Sequence, residues 1–279
     1  MAAICRERGY PVDFYVNIEG QRYLAGNPQK GIPFTMKILN RFAYIRPMSS
    51  SLSISLEGTL ADLRALSDHA HLEKMQRFGI DSSTALGISI PALRKLARKA
   101  GRNHLLALQL WDTNIHEARI LASMVDDPAQ VTLEQSDRWV HDFHSWDVCD
   151  QVCGNLLDKT PFAYTCIPHY SKSSKEYVKR AAFVLMAELA VHDKMAKDAS
   201  FLSFLPIIER EAGDERNFVK KAVNWALRQI GKRNAFLHQH ALHTAYEISL
   251  QKTAVARWIA RDAIKELESP AVLRKVSPP

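Results

Sequence analysis

From Ser55 onward apolar residues recur at intervals of three and four, with short Gly, Pro, Ser or Asp interruptions. That period predicts one amphipathic helix after another. Val219, Ala222, Val223, Ala226 and Ile230 form one narrow apolar stripe, and Val178, Ala181, Ala182, Leu185 and Leu189 form a second. A third, Val148, Cys149, Val152 and Leu156, follows Ser145, which suits an N-cap, with Asp147 favourable in the first turn. Val178-Lys179-Arg180-Ala181-Ala182, Val219-Lys220-Lys221-Ala222-Val223 and Ala260-Arg261-Asp262-Ala263-Ile264 stand at positions 178, 219 and 260, a constant offset. A repeat of about 40–47 residues built from helix pairs is the HEAT/armadillo pattern, in which stacked pairs bury a continuous core. The expected fold is therefore all-α, a HEAT-like helical solenoid with a concave face.

The first 50 residues lack this pattern. They hold four of the twelve prolines, and only the stretch around Val12–Gly20 alternates as a strand would. Glu7, Asp13 and Glu19 argue against a transit peptide. The expected organisation is a poorly ordered leader at 1–50, ahead of a start at Met48, and one HEAT-like domain at 51–279. A chain beginning at Met48 is expected to keep its stability and activity.

Composition changes this picture little. Hydrophobic residues make up 47% and charged residues 24%, ordinary for a soluble protein. No apolar run reaches the ~18 residues of a membrane span, so no membrane partner is expected. Four cysteines (Cys5, Cys149, Cys153 and Cys166) do not make a disulfide framework and fit reduced thiols in the cytoplasm. A zinc site needs about four ligands; one Cys149/Cys153 pair and histidines without HExxH spacing supply none, so no metal and no cofactor is expected. The net charge of +7 is weak evidence by itself. Its distribution says more: Glu215–Ala235 carries six basic residues against one acid. Lys220, Lys221, Arg228, Lys232 and Arg233 are accordingly expected to reach phosphates.

Helical phase picks out residues that point away from the stripes. Lys221, Trp225 and Arg228 lie about 180–240° from theirs, and Arg180 about 200° from its own. A tryptophan among cations on a non-core face packs over Lys and Arg stems or meets a ligand such as a nucleic-acid backbone. Trp146 and Asp150, four apart, stack on one face opposite the third stripe. Alone, W-x-x-x-D is a weak signal. An aromatic ring over a carboxylate nevertheless suits a reaction that builds positive charge on a sugar.

Taken together, these segments resemble the DNA alkylation repair family of HEAT-repeat glycosylases, the AlkD type, over roughly residues 60–270. The resemblance rests on Met75-Gln76-Arg77-Phe78-Gly79-Ile80, Leu86-Gly87-Ile88 with Pro91 and Leu93-Arg94, Trp146-Asp147-Val148-Cys149-Asp150, Lys179-Arg180-Ala181-Ala182-Phe183, and the run Val219–Arg228. It implies a positively charged concave face that cradles duplex DNA. It also implies excision of cationic bases such as 3-methyladenine and 7-methylguanine without flipping the lesion. By the same resemblance Asp150 is the catalytic carboxylate, assisted by Trp146. Trp225 is an aromatic wall, Arg180 binds phosphate and positions the site, and Phe78 stands where better-studied members carry tyrosine, keeping the ring without the hydroxyl. Lys220, Lys221 and Arg228 complete the expected DNA-binding set.

The expected activity is thus a monomeric, cytoplasmic DNA glycosylase acting on alkylated duplex DNA. The rival is a non-catalytic HEAT-repeat scaffold that binds DNA or protein. A plain scaffold has no need of a carboxylate among aromatics. The catalytic reading further expects Arg180 to lie close to Asp150 and hold its pKa low.

Overall fold

Side-chain oxygens set about half of the helix starts. In the computed structural model, Ser55, Asp68, Asn103, Thr132, Ser145, Asn234 and Thr253 each accept a hydrogen bond from a backbone N–H in the first turn that follows. The structure describes residues 55–276, together with the backbone of three short strands nearer the N-terminus. The chain divides into two units, 1–53 and 54–279.

In the first unit β1 (Asp13–Val16), β2 (Arg22–Ala25) and β3 (Thr35–Lys37) pair antiparallel in that order. β1 falls within the alternating stretch. The expectation of a poorly ordered leader otherwise falls outside the described residues.

Every described element of the second unit is helical. The longer ones are α1 (Leu56–Ala65), α2 (His69–Arg77), α3 (Ile90–Ala100), α4 (His104–Asp112), α5 (His116–Val125), α6 (Leu133–His141) and α7 (Trp146–Asn155). A 3-10 turn (Leu157–Lys159) leads to α8 (Ala163–Tyr170) and α9 (Glu176–His192). There follow α10 (Asp198–Leu202), α11 (Leu205–Glu211), α12 (Asn217–Gly231), α13 (Ala235–Ser249), α14 (Ala254–Leu267) and α15 (Pro270–Val276). Among the described residues no helix is long and apolar enough to cross a membrane.

Packing sorts these helices into two layers. α3, α5, α7, α9, α12 and α14 form one, each resting on the next, and α4, α8 and α13 back them as the other members of helix pairs. The segments at 178, 219 and 260 lie on α9, α12 and α14, three successive members of the first layer. All three predicted stripes are buried. Trp111 and Trp139 stack at 4.0 Å between α4 and α6. The thiols of Cys149 and Cys153 lie against the Tyr177 and Ala181 carbonyls, packing α7 onto α9.

α9 departs from the single-stripe expectation. Eleven of its seventeen residues are buried, Arg180, Phe183, Val184, Met186 and Ala187 among them. It lies between α7, α8 and α12, so no face of it is left to solvent over most of its length.

Candidate active site

Trp146 occupies the first position of α7, and its indole Nε1–H donates to the Phe78 carbonyl at 3.1 Å, tying α7 to the end of α2. The Phe78 ring is left 69% exposed. One turn along α7, Asp150 meets Arg180 of α9. Nε donates to Oδ1 at 2.9 Å and Nη2 to Oδ2 at 2.8 Å, a bidentate pair, while Nη1 donates to the Phe218 carbonyl at 2.6 Å. The guanidinium carbon lies 6.0 Å from the Trp146 ring centroid. Trp225 of α12 is half-buried. Phe78, Trp146, Asp150 and Trp225 line a single groove of about 630 Å³, which His116 and Glu188 also border. Four of the expected site residues therefore share one groove, with Arg180 beneath them.

Two expectations are corrected here. Arg180 is only 5% exposed and its donors face Asp150 and Phe218, so it fixes the carboxylate rather than binding phosphate. Nor does it hold the Asp150 carboxyl low. Burial lifts that carboxyl above the ordinary value, and the Arg180 charge opposes the lift without cancelling it. On Arg180 itself burial acts downward, and Asp150 more than offsets it, so the guanidinium is held above its usual value. We read the two as an ion pair, because a bidentate contact at these distances is the arrangement that makes two buried charges tolerable.

A second carboxylate lies beside the first. Asp147 accepts from Ser145 Oγ and lies 2.8 Å from His116 Nε2. Burial pushes Asp147 up, but His116, Ser145 and the Val148 N–H together hold it below the usual range. His116 is buried, and its Nδ1 has no hydrogen-bond partner among the described residues.

The basic stretch is less available than its composition suggests. Lys221 is exposed and free of ion pairs among the described residues. Lys220 Nζ lies 5.5 Å over the Trp258 ring. Arg228 is hydrogen-bonded to Glu266 and 3.7 Å from Asp262, and Lys232 lies 2.6 Å from Glu266. Arg233 donates to the Ala190 and Ala196 carbonyls and lies over Phe201. Free reach to phosphates thus holds for Lys221, is limited for Arg228 and Lys232 by acids one repeat later, and fails for Arg233. Lys74, which lines the groove, and Arg94, Lys95 and Arg98 of α3 are exposed without ion-pair partners among the described residues.

Sequence reasoning passed over two glutamates. Glu117 of α5 is buried and accepts three backbone N–H bonds, from Leu86 at 2.7 Å, Gly87 at 2.7 Å and Ile88 at 3.1 Å. This shapes the loop into α3. Gly87 has φ +79° there, and a Cβ would collide with the Asp68 carbonyl. The partners are about thirty residues apart, so no local pattern signals the contact. Glu188 was findable: it lies eight residues after Arg180, two turns along the same helix.

The profile of the family described as "DNA alkylation repair enzyme" matches residues 59–267. Among solved structures the chain is similar to a member of "a new family of proteins related to the HEAT-like repeat DNA glycosylases with affinity for branched DNA structures". The TM-score is 0.64 at 18% identity, covering 76% of this chain and 95% of that one. A designed armadillo repeat protein aligns with a TM-score of 0.38 at 14% identity, over 77% of this chain and all of that one. No curated protein matches the chain.

Proposed function

The chain belongs to the DNA alkylation repair enzyme family, and from that membership we propose that it hydrolyses the N-glycosidic bond of cationic alkylated purines, such as 3-methyladenine and 7-methylguanine, in duplex DNA. An alkylated purine already carries positive charge, so it departs as a neutral base and needs no general acid. The barrier is instead the positive charge that grows on the deoxyribose. A fixed anion beside the sugar lowers that barrier, and aromatic faces add cation–π stabilisation.

One observation carries the reading: the Asp150 carboxylate, held bidentately by Arg180, lies at a groove walled by Trp146, Trp225 and Phe78. Each group has a task in this account. Asp150 supplies the negative charge, Arg180 holds it in one orientation, and Trp146 faces the sugar with its ring fixed through Phe78. Trp225 and the exposed Phe78 bear on the backbone, and Lys221, Arg94 and the groove-lining Lys74 neutralise phosphates. Both carboxylate oxygens already have partners, so the anion is preorganised and its reach is limited. The groove is open rather than a closed pocket for an extruded base, which favours attack on a lesion left within the helix.

The engagement of both Asp150 oxygens also favours a second reading, a protein that binds altered DNA without cleaving it. Incubation with methylated duplex DNA, followed by chromatography of released bases, separates the two. Release of 7-methylguanine above the protein-free control supports the glycosylase. Retention of the DNA without release supports the binding-only protein.

A further inference from the structure

We propose that Glu188, rather than Asp150, holds and deprotonates the water that attacks the sugar; this rests on the glycosylase reading above and assigns its missing base. Hydrolysis needs an acceptor for the proton of water. Asp150 is poorly suited, since both its oxygens accept from Arg180, at 2.9 and 2.8 Å. Glu188 borders the same groove, and its side chain is 16% exposed. Among the described residues it makes no hydrogen bond. Its one ion-pair contact among the described residues is His192, 3.5 Å away, and that same ring nitrogen lies 2.6 Å from Asp158. Of the carboxylates that line the groove, Glu117, Asp147 and Asp150 already have hydrogen-bond partners, and Glu188 is left free to accept.

The backbone makes room for it. Gly154, one turn beyond Asp150 on α7, lies directly beneath the Glu188 carboxyl, and a Cβ there would be 2.8 Å from both its Cδ and its Oε1. A glycine inside a helix costs roughly 1 kcal/mol relative to alanine. Here the missing side chain is what lets the carboxyl sit over α7.

The charges around Glu188 suit a base. Burial raises its carboxyl above the ordinary value, and Asp158 and Asp150 push the same way, while His192 and Lys159 oppose them. A carboxylate with a raised pKa takes a proton more readily near neutral pH. The step balances as follows. The C1′–N bond breaks, and its electron pair leaves with the cationic base, which becomes neutral. The water oxygen bonds to C1′, and its proton passes to Glu188, which returns it to solvent. Asp150 with Arg180 stays a fixed charge pair throughout.

The test compares wild type, Glu188→Gln and Gly154→Ala in single-turnover excision of 7-methylguanine between about pH 4.5 and 8, after subtraction of protein-free loss. Wild type should slow as pH falls through the Glu188 pKa. Glu188→Gln should bind methylated duplex as wild type does and lose about 10²-fold or more in rate. Gly154→Ala keeps the carboxylate but displaces it. It should fold, bind DNA and lose rate, which keeps the proposal testable if Glu188→Gln proves unstable. Wild-type rates in both variants would overturn the role of Glu188 and leave the glycosylase reading standing. Absence of excision by wild type would overturn both.

Discussion

Replacing Arg180 with methionine tests how the groove holds its charge. The substitution keeps volume and removes three donor contacts, two to Asp150 and one to the Phe218 carbonyl. Asp150 is then a mostly buried carboxylate without its counter-ion. Breaking a buried pair by removing one partner costs about 3–5 kcal/mol. A domain of this size has about a third of its total stability at stake, and a melting temperature lowered by roughly 6–20 °C. The loss should depend on pH. Already raised in the wild type, the folded-state pKa of Asp150 rises further, so the folded variant binds a proton that the unfolded chain releases. Its stability therefore falls as pH rises through that folded value, and is partly recovered by acidification towards the ordinary carboxylate pKa. Urea unfolding of wild type and Arg180→Met at pH 5 and 7.5 measures both effects. The double variant with Asp150→Leu should restore much of the loss, because no charge is then stranded. A cost below about 1 kcal/mol, or one equal at the two pH values, would refute the reasoning.

Lys221→Ala should flatten the dependence of log affinity on log salt by about one unit, read from fluorescence anisotropy with duplex DNA. Arg233→Ala should leave that slope unchanged and lower the melting temperature, since its donors serve the Ala190 and Ala196 carbonyls. Glu117→Gln keeps the shape but removes the charge behind three N–H bonds to Leu86, Gly87 and Ile88. It should destabilise by about 1.5–3 kcal/mol in urea unfolding.

Much of the frame was legible because burial on one face imposes a period on sequence. The stripes of α7 and α12 are buried as read, and the offset between 178, 219 and 260 marks successive helices of one layer. Trp146, Asp150 and Trp225 were found by the same logic, as residues out of phase with their stripes, and the resemblance brought them to one site with Arg180. The face of α9 that bears Arg180 was not legible as buried, because a helical period implies a solvent face and a helix packed on three sides has almost none. Charge counting overstated the basic stretch for a related reason. Arg228 meets Glu266, thirty-eight residues on, so the neutralising acid belongs to the neighbouring repeat and to no local window. The upward shift at Asp150 was illegible because desolvation depends on packing from other helices, whereas a sequence shows only which charges exist.

The central claim is that the Asp150 anion lowers the barrier to losing an alkylated base, and Asp150→Asn tests it most directly. The substitution keeps the outline of the side chain and removes its charge, and it also leaves Arg180 without its anion. The comparison therefore belongs at a temperature where circular dichroism shows both proteins folded, and at equal occupancy of the DNA. Single-turnover release of 7-methylguanine from duplex DNA should then be about 10²–10³ slower in Asp150→Asn than in wild type, the usual loss for one well-placed electrostatic stabiliser. Equal rates in the two proteins, or no release by wild type, would contradict the account.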